Sequence, residues 1–528
     1  MIPMLTSGLF KADIDAGTPE LDRIFTQFVE GKAAQRTDAL DDLAATGRED
    51  TRLLLDAILD GSLMLYKPGS RIVWAEKQGR QYQIQSLQRT DELTTVGRRD
   101  VKRLKLNNSL RSYLRDLIAG LGLRSEDPVQ RLAAITSLID KPEQLSDIVL
   151  AQSLETETDQ RVLNALLTLQ ARKQVSSTTA DVRVQGLEYL RSDLSSESRN
   201  LVAQLATEDS DPTVRDTALS VQQGQESQVT FYGWLETLFF GLSLGSVLVL
   251  AAIGLAISFG VMGVINMAHG ELIMIGAYCT WAMQQLLPDA LAASLILSIP
   301  VAFIVTGLVG IAIERTVIQF LYGRPLETLL ATFGISLILQ QLVRTFVSPQ
   351  NVPVANPPFM SGVIEFNSVF SLTLNRLYIL AFCLVVFGLL LMLLKRSRFG
   401  LEVRAVSQNR AMARAMGVRS ARIDSLTFGL GAGIAGIAGV ALSQVTNVGP
   451  NLGQAYIVDS FMVVVFGGVG NLWGTLISGM TLGIANKIME PWAGAILAKI
   501  LVLVFLIMFI QKRPRGLFPQ RGRAVEGS

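Results

Sequence analysis

The sequence predicts an all-α protein in two parts, a polytopic bundle of membrane-spanning helices preceded by a soluble, mostly helical domain. Three observations predict it. After Trp234, apolar runs of spanning length recur, rich in Gly and sparsely charged. Up to about Ser227 the chain is charged and rich in Gln, Ser and Thr, with apolar residues at helical spacing. Lys and Arg of the second part gather in particular loops, the bias that orients membrane helices. The mean hydropathy of +0.38 averages over both parts and understates the second. We therefore divide the 528 residues into a domain over 1–227 and a membrane domain over 228–528.

The first part opens with Thr18-Pro19-Glu20, a cap followed by a proline tolerated in the first turn. Leu21, Ile24, Phe25 and Phe28 follow at helical spacing. Between 62 and 87 the pattern changes. Lys67-Pro68-Gly69-Ser70 and Gly79 are turn signals, and Ile72, Val73, Trp74, Tyr82 and Ile84 are strand formers, so a small hairpin is expected. A loose repeat begins at Asp127-Pro128-Val129-Gln130-Arg131 and returns at Asp211-Pro212-Thr213-Val214-Arg215, with helical stretches Thr158–Leu169, Ala180–Leu190 and Ser195–Leu205 between them. Asp caps each helix and Pro starts it. The pattern resembles HEAT-type repeats, which stack to bury their apolar faces. Such a stack would offer a docking surface; a plain helical bundle fits the same residues.

In the second part, runs near the roughly 20 residues that span a bilayer are Leu235–Phe259, Val264–Leu286, Leu291–Ile313, Leu329–Phe346, Leu377–Leu394, Leu426–Val445, Ile457–Phe466, Leu472–Ile488 and Ile496–Ile510. The seventh is short, so run lengths leave open eight full spans with a broken one, or nine spans. The loop from Lys395 to Arg422 and the tail after Gln511 carry most of the basic residues, and both are expected in the cytoplasm. Counting back puts Ser348–Leu372 outside, Glu314–Glu327 inside and the first part outside, which in a Gram-negative cell is the periplasm. Met1 to Phe10 has no basic n-region and too short an apolar stretch for a signal peptide. A start upstream of Met1, or a removed leader, would reconcile that opening with an external first part.

Composition excludes several classes. A net charge of +2 gives no argument for nucleic acid or for steering an anion. Cys279 and Cys383 sit in apolar runs and read as buried filler. One histidine argues against a His-based metal or catalytic site, and no nucleophile motif or Gly-x-x-x-x-Gly-Lys phosphate loop occurs. No catalytic residue and no metal ligand is therefore assigned.

Two segments carry candidate function. Between Gly400 and Val418, Ala405, Met412, Ala413, Ala415 and Met416 can form one apolar helix face beside Arg404, Arg410 and Arg414, stopped by Gly417. A short basic-edged helix there suits docking into a cleft of another protein; a helix lying on the membrane surface is the competing reading. Asn266, His269 and Glu271 are polar groups at membrane depth, which are costly there and commonly face a partner or a solute route. The glycines around them fit equally a structural pin in a broken or closely packed helix.

These residues bring a resemblance into view. Gly263-Val264-Ile265-Asn266-Met267-Ala268-His269-Gly270-Glu271, continued by Ile275-Gly276-Ala277-Tyr278, resembles the "INFAHG-E" segment of the LivH-type permeases of branched-chain amino-acid ABC importers. Gly467-Gly468-Val469-Gly470-Asn471 with Gly474 resembles a second segment of that family. Ala411-Met412-Ala413, then Gly417 after three residues, resembles the loop that enters the nucleotide-binding subunit, with Ala411 where the general importer loop has Glu. The long N-terminal domain, followed by Arg324-Pro325-Leu326-Glu327-Thr328-Leu329-Leu330-Ala331-Thr332-Phe333-Gly334-Ile335-Ser336, resembles the urea-permease (UrtB) branch. The resemblance implies an inner-membrane permease subunit without a cofactor of its own, ATP being bound by partners. It implies a second permease subunit, two ATP-binding subunits and a periplasmic solute-binding protein. It further implies urea as solute; branched-chain or other amino acids, short amides, and passage through a passive channel are the alternatives. Coupling to the ATPase would fall to Arg404, Arg410, Ala411, Met412, Ala413, Arg414 and Gly417. The solute route would involve Asn266, His269, Glu271, Gly467, Gly468 and Asn471.

Overall fold

The computed structural model describes residues 18–518 except 47, 49, 70, 79–80, 88–92, 124 and 140. The readings of Met1–Phe10, Ser70 and Gly79 fall outside the described residues. The chain forms two compact units, Met1–Ser227 and Gln228–Ser528.

In the first unit, α1 (Thr18–Glu30), α2 (Ala33–Ala45) and α3 (Thr51–Asp60) precede five strands: β1 (Leu63–Tyr66), β2 (Arg71–Gln78), β3 (Gln81–Ser86), β4 (Thr94–Gly97) and β5 (Val101–Arg103). Helix α4 (Asn108–Leu123) follows. Leu21, Ile24, Phe25, Leu40, Leu54 and Leu114 fill the core between α1–α3 and α4. The expected hairpin is the β2/β3 pair, with Trp74 opposite Gln85 and Lys77 opposite Tyr82. It is part of a larger antiparallel sheet of order β4-β3-β2-β1-β5. The added strands are short and sparsely apolar, so alternation alone did not mark β4 and β5.

The rest of the unit is α5 (Pro128–Ile139), α6 (Asp147–Thr156), α7 (Gln160–Gln174), α8 (Ala180–Leu190), α9 (Ser196–Glu208) and the start of α10 (Pro212–Met262). One hydrogen-bond pattern occurs twice here, in a register that differs from the one read between Asp127 and Asp211. Arg131, on α5, holds Glu157 at 2.8 Å and the carbonyl oxygens of Ser125 and Glu126. Arg183, on α8, holds Asp209 at 2.9 Å and the carbonyl oxygens of Ser177 and Thr178. In both pairs the acid lies 26 residues after the arginine. In both, it also accepts a backbone N–H from the aspartate two residues on, Asp159 or Asp211. This part of the unit is thus a tandem pair of three-helix modules, α5–α7 and α8–α9 with the start of α10, each tied by one shielded ion pair.

The Arg131 guanidinium hydrogen-bonded to Glu157 holds that carboxyl below its ordinary value of 4.5. A lowered folded-state value means stability that is present above 4.5 and lost as pH falls through the folded value. Glu157→Gln is therefore expected to lower the unfolding midpoint of the first unit at neutral pH. Calorimetry should show the gap to wild type closing as pH falls below 4.5 and through the lower folded value; a gap that persists at acid pH would remove the ion pair as its cause.

In the second unit α10 ends at Met262 and is followed by α11 (His269–Leu286), α12 (Leu291–Thr316) and α13 (Pro325–Phe346). A β6/β7 hairpin (Val363–Glu365, Ser371–Thr373) leads into α14 (Leu374–Arg396). Then come α15 (Arg398–Gln408), α16 (Arg410–Ala415), α17 (Ser420–Ser443), α18 (Leu452–Gly467) and α19 (Leu472–Lys512). Among the described residues six helices are long and apolar enough to cross a membrane: α10, α12 with the turn after it, α13, α14, α17 and α19. Helix α18 has 16 residues, and α19 contains Pro491 and a non-helical Gly494, so it carries two apolar runs in succession.

Helix α17 is the axis of this unit. Its Gly436 lies against Ala302 and Thr306 of α12, and its Gly439 against Ile273 and Ala277 of α11. The small residues Gly429, Ala432, Gly436 and Gly439 of α17 are packed by the chain's own helices.

Side-chain contacts sort the loops into two ends. At one end Arg410 meets Asp424 and Tyr322, Val261 packs beside Val403 and Val406, and the chain at 517–518 lies on Phe466 and Gly467. At the other, Gln284 bonds Ala355, Val352 pairs with Val448, and Arg344 bonds Asn451. The first end holds the basic loops. Helix α18 reaches the first end at Gly468, and near its start Gly453 packs on Gly270 in the first turn of α11.

Candidate functional site

The backbone between α10 and α11 leaves helical geometry at Gly263 and resumes at His269. Non-helical backbone at membrane depth needs its polar groups satisfied by protein. Asn266 does this locally, its Oδ1 accepting the Ala268 N–H at 3.0 Å. Thr332 Oγ1, on α13, accepts the Met267 N–H at 3.1 Å. His269 Nε2 lies 2.8 Å from the Ala251 carbonyl oxygen of α10, and the ring is buried. The geometry gives Asn266 and His269 work in closing a helix break, the structural alternative left open by the sequence.

Glu271 is different. It is 1% exposed, and its Oε1 accepts hydrogen bonds from Ser336 Oγ at 2.9 Å and Gln340 Nε2 at 2.6 Å, both on α13. Its Oε2 is buried without a partner. Sequence reading did not connect Glu271 with Ser336 and Gln340. The available signal was the polar series Thr328, Thr332, Ser336, Gln340, four residues apart and so on one helix face.

The segment Gly467-Gly468-Val469-Gly470-Asn471 is not part of this cluster. Asn471 Oδ1 accepts the Gly474 N–H and caps α19, and its Nδ2 donates to Phe518 O. Gly467 accepts the Phe518 N–H. These residues form the turn from α18 to α19 and seat the chain after Arg515.

The basic loop is two helices, not the single one expected. Asn409 breaks it and caps α16 by accepting the Met412 N–H at 2.9 Å. Val403, Val406, Ala413 and Ile423 form a small core under the loop. Arg404, Ala411 and Arg414 are exposed, Met412 and Met416 are 61% and 78% exposed, and Ala413 points inward. The sequence had placed both methionines on the same face as Ala413. Gly417 follows with φ of 89°, a left-handed conformation that L side chains rarely adopt.

Beneath α16 lies a charged network that the sequence did not reveal. Arg410 Nη2 donates to Asp424 Oδ1 at 2.8 Å, and its guanidinium lies 4.7 Å from the centre of the Tyr322 ring. Tyr322 Oη donates to Glu314 at 3.2 Å, and Ser425 Oγ donates to the other oxygen of Glu314. Asp424 and Glu314 are each 1% exposed. One guanidinium thus ties α16 to α17, and through Tyr322 and Glu314 to α12.

Lys499 pairs with Asp459 at 2.9 Å. The bend between Pro491 and Gly494 returns the second half of α19 to α18, a tertiary step that no local pattern announces.

A glycine-packed bundle of apolar spans, with a buried polar seam and a basic helical loop at one end, defines a multi-pass membrane protein. Residues 237–510 match the family described as branched-chain amino acid transport system / permease component, and the chain belongs to that family. It is similar to the high-affinity branched-chain amino acid transport system permease protein BraD of Pseudomonas aeruginosa, 32% identical over 297 residues, which are 54% of this chain and 96% of that protein. It is similar to LivH of Escherichia coli K12, described in the same words, at 28% identity with the same coverage of each chain. The inner membrane ABC transporter permease protein YjfF of Escherichia coli K12 is 26% identical over 51% of this chain and 74% of its own length. No solved structure matches the chain.

Proposed function

We propose that the chain is one translocation subunit of an ATP-binding-cassette importer for a small polar solute, with branched-chain amino acids the first class to test. The observation that supports this is the family match over 237–510, together with relatives named for branched-chain amino acid transport that align over 96% of their length. In this reading the chain works with a second permease subunit, two ATP-binding subunits and a periplasmic solute-binding protein. The exposed row Arg404, Ala411, Met412 and Arg414, set by Ala413 within and Gly417 after, docks on an ATP-binding subunit. Arg410 carries that contact to the bundle. Glu271 lies on the solute route, Asn266 and His269 shape its wall, and Gly467, Gly468 and Asn471 hold its cytoplasmic end.

One observation favours urea as a second reading of the solute. Residues before 237 lie outside the family match, and relatives aligned over nearly their full length cover about half of this chain. An added N-terminal domain is the feature that resembles the urea branch. We read its tandem modules as HEAT-like, placed in the periplasm by the charge bias of the spans, with a surface for a partner protein.

Labelled uptake in a strain deleted for the gene and complemented with the full chain tests the reading. Leucine-class amino acids, urea and acetamide should be compared with and without the ATP-binding partner. Restored leucine uptake that needs the partner is the expected result. Restoration of urea uptake alone would transfer the solute to the second reading, and uptake that survives loss of the partner would make the chain a passive channel.

A further inference from the structure

Helix α13 presents two unlike faces. Thr328, Thr332, Ser336 and Gln340 form a stripe no more than 4% exposed, while Leu326, Leu330, Ile338 and Phe346 on its other sides are exposed. Thr328 and Thr332 return hydrogen bonds to their own helix or to the break before α11. Ser336 and Gln340 do not close on their own backbone; both reach Glu271. The stripe therefore converges on one carboxylate at membrane depth.

That carboxylate is incompletely satisfied. Both donors share Oε1, and Oε2 is buried with no partner. Tyr278, seven residues along α11 and so about two turns away on the same side, has a buried hydroxyl that is also without a partner. Burying an unpaired polar atom away from water is unfavourable, and more so for a charged group. Packing does not require it, since Leu272 and Ile273 beside Glu271 already supply buried apolar contact.

We propose that Glu271 Oε2 accepts an N–H of the transported solute, with the Tyr278 hydroxyl as a second contact. Ser336 and Gln340 hold Glu271 while the seam between α11 and α13 is closed, and they release it when α13 moves away. The class of ligand is a small solute bearing amino or amide N–H groups. The α-ammonium of an amino acid and the amide N–H of urea both meet that description. The proposal rests on the importer reading above.

The test uses the complemented deletion strain with the full transporter, measuring KM and Vmax for leucine and urea and for their N-methylated analogues. Wild type should take up the parent solute and discriminate against N-methylation. Glu271→Gln, at normal membrane level, should raise KM about tenfold, the equivalent of one strong hydrogen bond, and lose the discrimination. A purely structural role would lower membrane level or Vmax without changing discrimination. Tyr278→Phe, which removes only the hydroxyl, should shift KM in the same direction by a smaller factor and serves if Glu271→Gln does not assemble. Whichever parent solute responds identifies which N–H is read. Wild-type KM and discrimination in both variants would overturn the proposal. Uptake of neither solute by wild type would remove the importer reading and take this proposal with it.

Discussion

Replacing Arg410 by Glu is expected to reduce uptake at least tenfold while the chain remains in the membrane. Asp424 and Glu314 are fully buried carboxylates, and the Arg410 guanidinium is the cation that meets Asp424 directly. Removing one partner of a buried pair leaves an uncompensated charge, which costs about 3–5 kcal/mol. Arg410 is 29% exposed, so water screens part of that loss and the lower end applies. A loss of about 1.4 kcal/mol already corresponds to tenfold in an equilibrium. Glu at position 410 would add a third carboxylate and forfeit the contact with the Tyr322 ring. Helix α16 would then lose its tie to α17 and α12 while its own cap, Asn409 to Met412, stayed intact. Combining Arg410→Glu with Asp424→Arg should recover part of the uptake, because the pair is re-formed with its charges exchanged. Uptake and membrane level measured side by side decide the matter; normal uptake by Arg410→Glu would show that the network carries no coupling.

The residues differ in how far the sequence disclosed them, and the difference follows the range of the interaction. Spans were legible because about 20 apolar residues in a row are needed to cross a bilayer, and that is a local property. The break from Gly263 to His269 was legible only in part: a broken helix was one reading of the residues there, but the span was drawn from Val264, inside the break. Asn409 was an available cap signal inside the basic loop, and overlooking it merged α15 with α16. The apolar face was then drawn through Met412, whereas Val403, Val406 and Ala413 make the inner side. The link from Glu271 to Ser336 and Gln340 spans 65 and 69 residues, and the link from Ser425 to Glu314 spans 111. Composition and periodicity cannot pair helices over such distances. They marked Glu271 as costly but left its partners to the tertiary structure. In the first unit the same limit hid the module register, because Arg131 and Arg183 show their equivalence only through the acids they hold.

Gly276→Val is expected to remove folded chain from the membrane altogether. Gly276 of α11 faces Gly436 of α17 backbone to backbone, and an added Cβ would overlap the Gly436 carbonyl group and Cα. No flexible side chain lies there to swing aside. Relief would require α11 and α17 to separate, and α17 is held from its other side by Ala302 and Thr306 of α12. Close approach of small residues is what holds membrane helices together once lipid has removed the hydrophobic drive. Overpacking in a tight core typically costs about 1–3 kcal/mol, and more where only backbone can yield. Valine adds a branched Cβ that is stiff in a helix, so a rotamer change offers no escape. Gly334→Val is the matched control, since nothing lies within 4 Å of a Cβ there and the position is on α13 in the same unit. Immunoblots of membrane fractions should show Gly334→Val at near wild-type level and Gly276→Val absent or degraded. Equal levels of the two variants would mean that α11 and α17 do not approach as closely as the glycine contacts require.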